Sequence, residues 1–295
     1  MIFAFIETEK ADFPIEFMCD RLGVSTSGFY DWRRAEANPG PRRLADAELT
    51  ERIREIHVMS RRSYGSPRIH GELVDGDGRH LSVNRVARLM RLNGIVGIHK
   101  RRSGCTFRNP DATPSDDLVD RRFVADAPNK LWVADVTEHP TRDGKLYLAV
   151  VLDVFSRMII GWSIASHMRA ELVVDALQMA IWRRRPPQGA VHHSDHGSQY
   201  TSWAFGSRLR AAGLLGSMGS VGDCFDNAMA ESFFSSLQRE LLDEQRWDSR
   251  EQLGQAIFEW IEAWYNPNRR HTSIGTVSPA AFEAAHHAKQ VEVAA

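Results

Sequence analysis

The sequence predicts an α/β protein, a mixed five-stranded sheet flanked by helices and preceded by small all-α units of helix-turn-helix character. Three observations predict it. Strand-like runs near 131–138, 146–155 and 158–166 are separated only by tight turns at Asp143-Gly144 and Ser156-Arg157, which makes them antiparallel. Two later strands, one entering Asp195 and one over 214–220, are separated by helical patterns, which makes them parallel. Before residue 100, short helical patterns alternate with Gly and Pro breaks.

Taken in order, 14–22 and 26–34 read as two short helices joined through Gly23 and Val24, with Ser25 as the N-cap of the second. The pair is a helix-turn-helix or an ordinary helical hairpin; the acids around it disfavour strong phosphate binding. Asn38-Pro39-Gly40-Pro41 breaks the chain, and a helix follows over 45–60 through Leu49, Ile53 and Ile56. Arg61 and Arg62 lead into a helix at 68–74. Asp75-Gly76-Asp77-Gly78 then turns, and Ser82 caps a helix carrying Val86, Leu89, Met90 and Leu92.

That second pair is the better helix-turn-helix. Its last helix offers Asn84, Arg85, Arg88 and Arg91, side chains that fork onto guanine, pair with adenine or clamp phosphate; the alternative is a solvated charged face. Lys100, Arg101 and Arg102 extend it as a basic arm. The charge distribution tilts the choice toward DNA. The whole chain carries −1, but residues 42–108 hold 15 Lys and Arg against 7 Asp and Glu, while 1–41 carry −3 and 109–295 carry −6. The DNA-contact candidates are Arg61, Arg62, Arg68, Asn84, Arg85, Arg88, Lys100, Arg101 and Arg102.

Composition excludes several classes. The longest apolar run, 146–155, is interrupted by Asp153 and too short to span a bilayer, so a cytosolic location is the default. Cys19, Cys105 and Cys224 lack paired spacing, which argues against a disulfide framework or a zinc site, so that a metal would be bound by oxygen. Cys224 reads as a small loop residue.

Three acids stand out. Asp135 interrupts the buried strand Leu131-Trp132-Val133-Ala134, which is unfavourable unless the carboxylate is paired or holds a metal. Asp195 sits where the next strand ends, opening into a loop with Gly197. Glu231 follows 35 residues later, in the second turn of a helix that Asp226 and Asn227 cap and that carries Phe233, Phe234, Leu237 and Leu241. Asp153 reads instead as a cap on the Ser156-Arg157 turn. His192, His193 and His196 receive no role. A helix from Ser249 through Leu253, Ile257, Trp260, Ile261 and Trp264 ends at Asn266-Pro267; Arg269-Arg270-His271 after it is a DNA contact or a surface loop, and the tail after Phe282 offers no chemistry.

The stretches WVADVT, HHSDHGSQY and GDCFDNAMAESFFSSLQREL closely resemble the catalytic core of insertion-sequence transposases with a retroviral-integrase-like fold, specifically the B-frame product of the large two-frame bacterial family. The resemblance extends from FAFIETEK to NPNRRHTSIGTVSPAAFE. It implies a ribonuclease-H-like core in which Asp135, Asp195 and Glu231 are the catalytic and metal-binding triad. One departure is Gln238, where many relatives carry lysine; a DNA contact there passes to Arg239 or is weaker.

On this reading the chain divides into a helix-turn-helix-like segment (1–40), a basic helix-turn-helix DNA-binding domain (41–102), a linker (103–128), an integrase-like catalytic core (129–245) and a C-terminal helix and tail packed on it (246–295). The implied activity is metal-dependent DNA end cleavage and strand transfer with two Mg²⁺ ions, for which Mn²⁺ substitutes. Implied partners are element ends and target DNA, further copies of the chain in a synaptic complex, and an upstream A-frame product, with no membrane and a place in the bacterial cytoplasm near the nucleoid. The alternatives are a non-catalytic DNA-binding regulator or relic, and a nuclease of the same fold without strand transfer.

Overall fold

Ser25 accepts a hydrogen bond from the Gly28 amide at 3.0 Å and Ser82 one from the Arg85 amide at 3.3 Å, so both serines open the helices expected of them. The computed structural model describes residues 2–98, 123–195, 197–218 and 228–294. Its first helices are α1 (Ile2–Glu9), α2 (Ile15–Leu22) and α3 (Thr26–Ala37), packed on Ile6, Met18, Cys19 and Phe29. The sequence reading had no helix at α1. Next come α4 (Pro41–Met59), α5 (Ser66–Gly71) and α6 (Val83–Leu92), which share a core of Leu49, Ile53, Ile56, Tyr64, Ile69, Leu73, Val86, Leu89 and Met90. The helix expected over 68–74 begins earlier, and it loosens into a π-type turn over Glu72–Gly76.

The sheet follows the expected topology. β1 (Leu131–Thr141), β2 (Gly144–Asp153) and β3 (Ile159–Ala165) form an antiparallel meander, closed first by a two-residue turn at Arg142 and Asp143. α7 (Ala170–Arg184) leads to β4 (Val191–Ser194), and α8 (Trp203–Ala211) leads to β5 (Leu215–Met218); β4 pairs parallel with both β1 and β5. The strand order is β3-β2-β1-β4-β5.

Side-chain alternation assigns each face. Trp132, Ala134, Ala149 and Val151 point into a core shared with α7 and α8. Leu146, Leu148, Val150 and Leu152 point the other way, against α9 (Ala228–Glu240), α10 (Arg250–Glu259) and the π-type turn Trp260–Tyr265. Gly161 lets β3 approach α7 closely: a Cβ there would fall on the Ala176 carbonyl oxygen and within 2.7 Å of the Ala180 nitrogen.

The C-terminal stretch corrects two expectations. Arg269-Arg270-His271 is neither a surface loop nor free for DNA. Arg269 is buried on a buried Glu240, and Arg270 reaches back to Glu72 and to Asp75, at 2.7 and 2.5 Å. Tyr64 completes that junction, donating to the Asn268 carbonyl at 3.2 Å and accepting from the Arg270 amide at 2.7 Å. The tail is helix α11 (Pro279–Ala294), whose buried Glu283 binds Arg184 of α7 and accepts from Ser156 at 2.5 Å. Asp153 caps its turn as read, accepting from the Asn129 and Phe155 amides at 2.8 and 3.0 Å. Among the described residues no helix is long and apolar enough to cross a membrane.

Gly161→Ala forces β3 away from α7 and is expected to destabilise the protein by roughly 1–3 kcal/mol, the usual range for overpacking. Gly40→Ala, where an added Cβ meets nothing within 4 Å, is expected to be near neutral. Urea midpoints of the two variants that coincide would refute this account of the β3–α7 contact.

Candidate active site

Leu131 and Val133 lie on the face of β1 that packs on Ala230 and Met229 at the start of α9. Asp135, two residues on, shares that face, as does Val150 directly across from it on β2. β4 repeats the pattern, with Val191 level with Leu131 and His193 level with Val133. Carrying this parallel register two residues further brings Asp195 level with Asp135 on the same face. Glu231 follows Ala230 in the first turn of α9, one turn earlier than the sequence reading placed it. Two adjacent strands and one helix start thus present three carboxylates to one region.

The carboxylates differ in their surroundings. Asp135 is half-buried, and its Oδ1 accepts the Val136 amide at 2.8 Å. Its pKa is pushed up to about 7, chiefly by burial and further by the charges of Asp195 and Glu231. Asp195 and Glu231 are exposed. Asp195 Oδ1 accepts the Gly197 amide at 3.0 Å; a Cβ on Gly197 would sit 2.6 Å from Gln199 Oε1 and 3.0 Å from that same oxygen. Glycine is what allows the loop to close on the carboxylate.

The donor set is all oxygen and anionic, which suits a hard divalent cation, and the pKa of Asp135 is raised first by burial and then by the neighbouring negative charges. Among the described residues no three His, Cys, Asp or Glu side chains are gathered tightly enough to hold a metal by themselves. The triad therefore fits a cation that draws its ligands together, with phosphate oxygens and water completing the shell.

Tyr200 is a residue the sequence reading missed. It is buried in the turn before α8, and its hydroxyl has no partner among the described residues. Burial and then the charges of Asp135 and Asp195 hold its pKa well above the usual phenol value. Its only sequence signal was an aromatic five residues past Asp195. His192 packs between Phe205 and Tyr200 as a neutral ring, with a pKa pushed down to about 4 by burial. His193 contacts Phe123 and the Ser217 hydroxyl, at 3.0 Å for the latter. His196 and Cys224 lie outside the described residues.

The candidate DNA contacts are dispersed. Asn84 is exposed on α6. Arg85 and Arg88 bind opposite oxygens of Asp46 on α4 at 2.8 and 2.6 Å, and the Arg88 hydrogen bond leads in holding that carboxyl below its usual range. Arg61 and Arg62 adopt φ of 54° and 57° at the end of α4, beside Glu240 and Glu244. Arg68 turns toward the core and lies 5.5 Å over the Tyr64 ring. Lys100, Arg101 and Arg102 lie outside the described residues.

Comparisons with known proteins bear on both halves. Residues 43–103 match the HTH-like domain family, and 125–224 and 213–279 match two integrase core domain families. The first core match contains Asp135 and Asp195, the second Glu231. The chain is 38% identical over 284 residues to the transposase InsF for insertion sequence IS3A of Escherichia coli K12, covering 96% of this chain and 98% of that one. It is equally identical over 271 residues, 92% and 98% of the two chains, to an uncharacterized 31 kDa protein of insertion element IS600 of Shigella sonnei. Among solved structures, the HTLV-2 integrase catalytic core domain in complex with magnesium aligns over 54% of this chain and 99% of its own, at 18% identity and TM-score 0.42.

The raised pKa of Asp135 has a consequence for the metal-free protein. A carboxyl whose folded pKa lies above its unfolded value contributes stability that is present in acid and is lost as pH rises through about 7. In chelator, the melting temperature is expected to fall from pH 4 to 7 relative to Asp135→Asn, each 1 kcal/mol appearing as about 2–4 °C. Mg²⁺ should stabilise the unmodified chain more at pH 7.5 than at pH 5. Parallel pH profiles for the two proteins would refute the assignment.

Proposed function

We propose, for a chain that belongs to the IS3 family of insertion-sequence transposases, that it cleaves DNA at the ends of its element and joins them to a target through Asp135, Asp195 and Glu231. The observation that carries this reading is that three carboxylates share one face, in the middle of β1, just past the end of β4 and at a helix start. Asp135, Asp195 and Glu231 would together hold divalent ions, two Mg²⁺ by preference with Mn²⁺ as substitute. When bound, such ions neutralise phosphate charge and make a good oxygen nucleophile available at neutral pH.

The protein's own residues set the geometry. Asp135 is fixed by pairing with Val150 of β2, just beyond the stretch of β1 that pairs with β4, Asp195 is oriented by the Gly197 amide, and Glu231 rides on a helix anchored by Ala230 and Phe233. In the first step a water oxygen bonds to the phosphorus at the element end, and the bond to the 3′-oxygen breaks to leave a free 3′-hydroxyl. That hydroxyl then attacks a target phosphodiester in line, forming the new P–O bond and displacing the target's 3′-oxygen. No side chain becomes bonded to DNA.

The five-part division of the chain belongs to this proposal: helix-turn-helix-like (1–40), basic DNA-binding (41–102), linker (103–128), catalytic core (129–245) and C-terminal cover (246–295). Element ends are bound by α6 and its flanks, with Asn84 toward the bases. Arg85 and Arg88 exchange Asp46 for phosphate. The working complex holds several copies of the chain, together with or fused to the A-frame product, in the bacterial cytoplasm.

Labelled DNA carrying the element's own termini tests the reading. Cleaved and joined products should require Mg²⁺ and fall at least about a hundredfold with Glu231→Gln, since even residues that only support metal ligands are worth 10–100-fold. Cleavage without joining would indicate a nuclease. Binding without metal-dependent chemistry, even after the A-frame product is added, would indicate a regulator or relic. Separately, Asp46→Asn should raise duplex affinity several-fold at low salt, with the gain shrinking at high salt; unchanged affinity would exclude Arg85 and Arg88 from phosphate contact.

A further inference from the structure

A cavity of about 300 Å³ opens where α5, the β2–β3 turn, α9 and the loop before α11 meet. Four arginines line it, Arg68, Arg157, Arg239 and Arg269, against one acid, Glu240. Arg269 is already committed, gripping both Glu240 oxygens at 2.7 and 3.0 Å. Arg68, Arg157 and Arg239 form no ion pair among the described residues: Arg68 lies over Tyr64, and Arg239 donates to the Ser235 hydroxyl at 2.7 Å.

The surroundings do not dissipate this charge. Burial foremost, with the charges of Arg269 and Arg239, lowers the pKa of Arg68. His271 in the wall is kept neutral, its pKa pushed down to about 2 by burial and then by Arg269, Arg68 and Arg157. Ser232, Thr272 and Ser273 add hydroxyls. A concave, poorly solvated wall with uncompensated guanidinium groups concentrates positive potential, and planar guanidinium forks match phosphate oxygens two at a time.

The cavity is also placed for DNA. Ser232 directly follows Glu231, and Ser236 and Arg239 continue along the same face of α9. Ser236 and Arg239 lie five and eight residues beyond Glu231, about 7.5 and 12 Å along the helix. The space takes one phosphate with part of its sugar, and no duplex.

We infer that this cavity binds one phosphate of the DNA backbone, one or two nucleotides from the phosphate that reacts. The inference rests on the strand-transfer reading for the identity of the polymer, and adds a site shared by the HTH-like unit, through Arg68, and the core, through Arg157 and Arg239. Recognition of the element end is thereby tied to the helix that carries Glu231.

The test uses the full chain, duplex DNA carrying the element terminus, and Ca²⁺ in place of Mg²⁺ so that binding is read without chemistry. The double variant Arg157→Gln/Arg239→Gln keeps the side-chain stems and removes the charge; its melting temperature checks folding. It should bind about tenfold more weakly at moderate salt and lower the slope of log K against log[salt] by about 1. Arg157→Lys/Arg239→Lys should restore the slope. Single neutral methylphosphonates walked along each strand should reveal one position that weakens the unmodified protein and is silent in the double Gln variant.

An unchanged slope, methylphosphonate effects that persist in the variant, or no DNA retention by the unmodified chain would overturn the inference. So would stabilisation by inorganic phosphate that the variant loses while its DNA slope stays unchanged, which would assign the cavity to a free anion. If the slope falls but Mg²⁺ yields no cleavage, the strand-transfer reading fails and the phosphate site stands. If cleavage and joining proceed and the slope is unaltered, the reverse holds.

Discussion

Two carboxylates, one within β1 and one just past the end of the parallel strand β4, repel each other, and the rest of the fold is arranged to hold them there. Strands in a sheet lie about 4.8 Å apart, so the β1–β4 register brings Asp135 and Asp195 into one another's field, with Glu231 close enough to add to it. β1 withstands this because it is central: β2 pairs with it on one edge, β4 on the other, and helices cover both faces. An edge strand could relieve the repulsion by fraying, and β1 has no such freedom. The repulsion that remains is a preference for cations.

A second constraint lies at the junction of the HTH-like unit and the core. Its contacts are mostly polar, with Tyr64 bonded to the 268–270 backbone, Arg270 on Glu72 and Asp75, and Trp264 beside the Tyr64 ring. Buried or half-buried ion pairs add little net stability against apolar packing, because desolvation offsets their attraction. Their effect is orientational, since each charged group is satisfied in only one arrangement. Arg269 and Glu240 do the same within the core, fixing the end of α9 beneath the helix turn that carries Glu231.

Much was legible in the sequence because it was local. The Ser25 and Ser82 caps, the helix over 170–184, the antiparallel meander of the first three strands and the turn-capping role of Asp153 each follow from neighbours close in the chain. The readings that failed depended on distant partners. Arg269-Arg270-His271 looked like solvent-exposed charge because Glu240, Glu72 and Asp75 lie 29 to 198 residues away in the chain. Glu283 looked inert because Arg184 and Ser156 are likewise remote. The ion pairs of Arg85 and Arg88 with Asp46, on another helix, were out of reach for the same reason, and they leave the proposed phosphate contacts of both arginines open to exchange.

The sequence by itself determined the α/β class, which strands run antiparallel and which parallel, and which acids interrupt apolar elements, since hydrophobic periodicity and turn chemistry act over a few residues. Only the tertiary structure decided that Asp135, Asp195 and the start of α9 share one face, that Tyr200 is buried in the field of the first two acids, and that Arg68 joins Arg157 and Arg239 around one cavity. Convergence and burial of charge depend on chain closure over tens to hundreds of residues, and electrostatic energies follow distance in space.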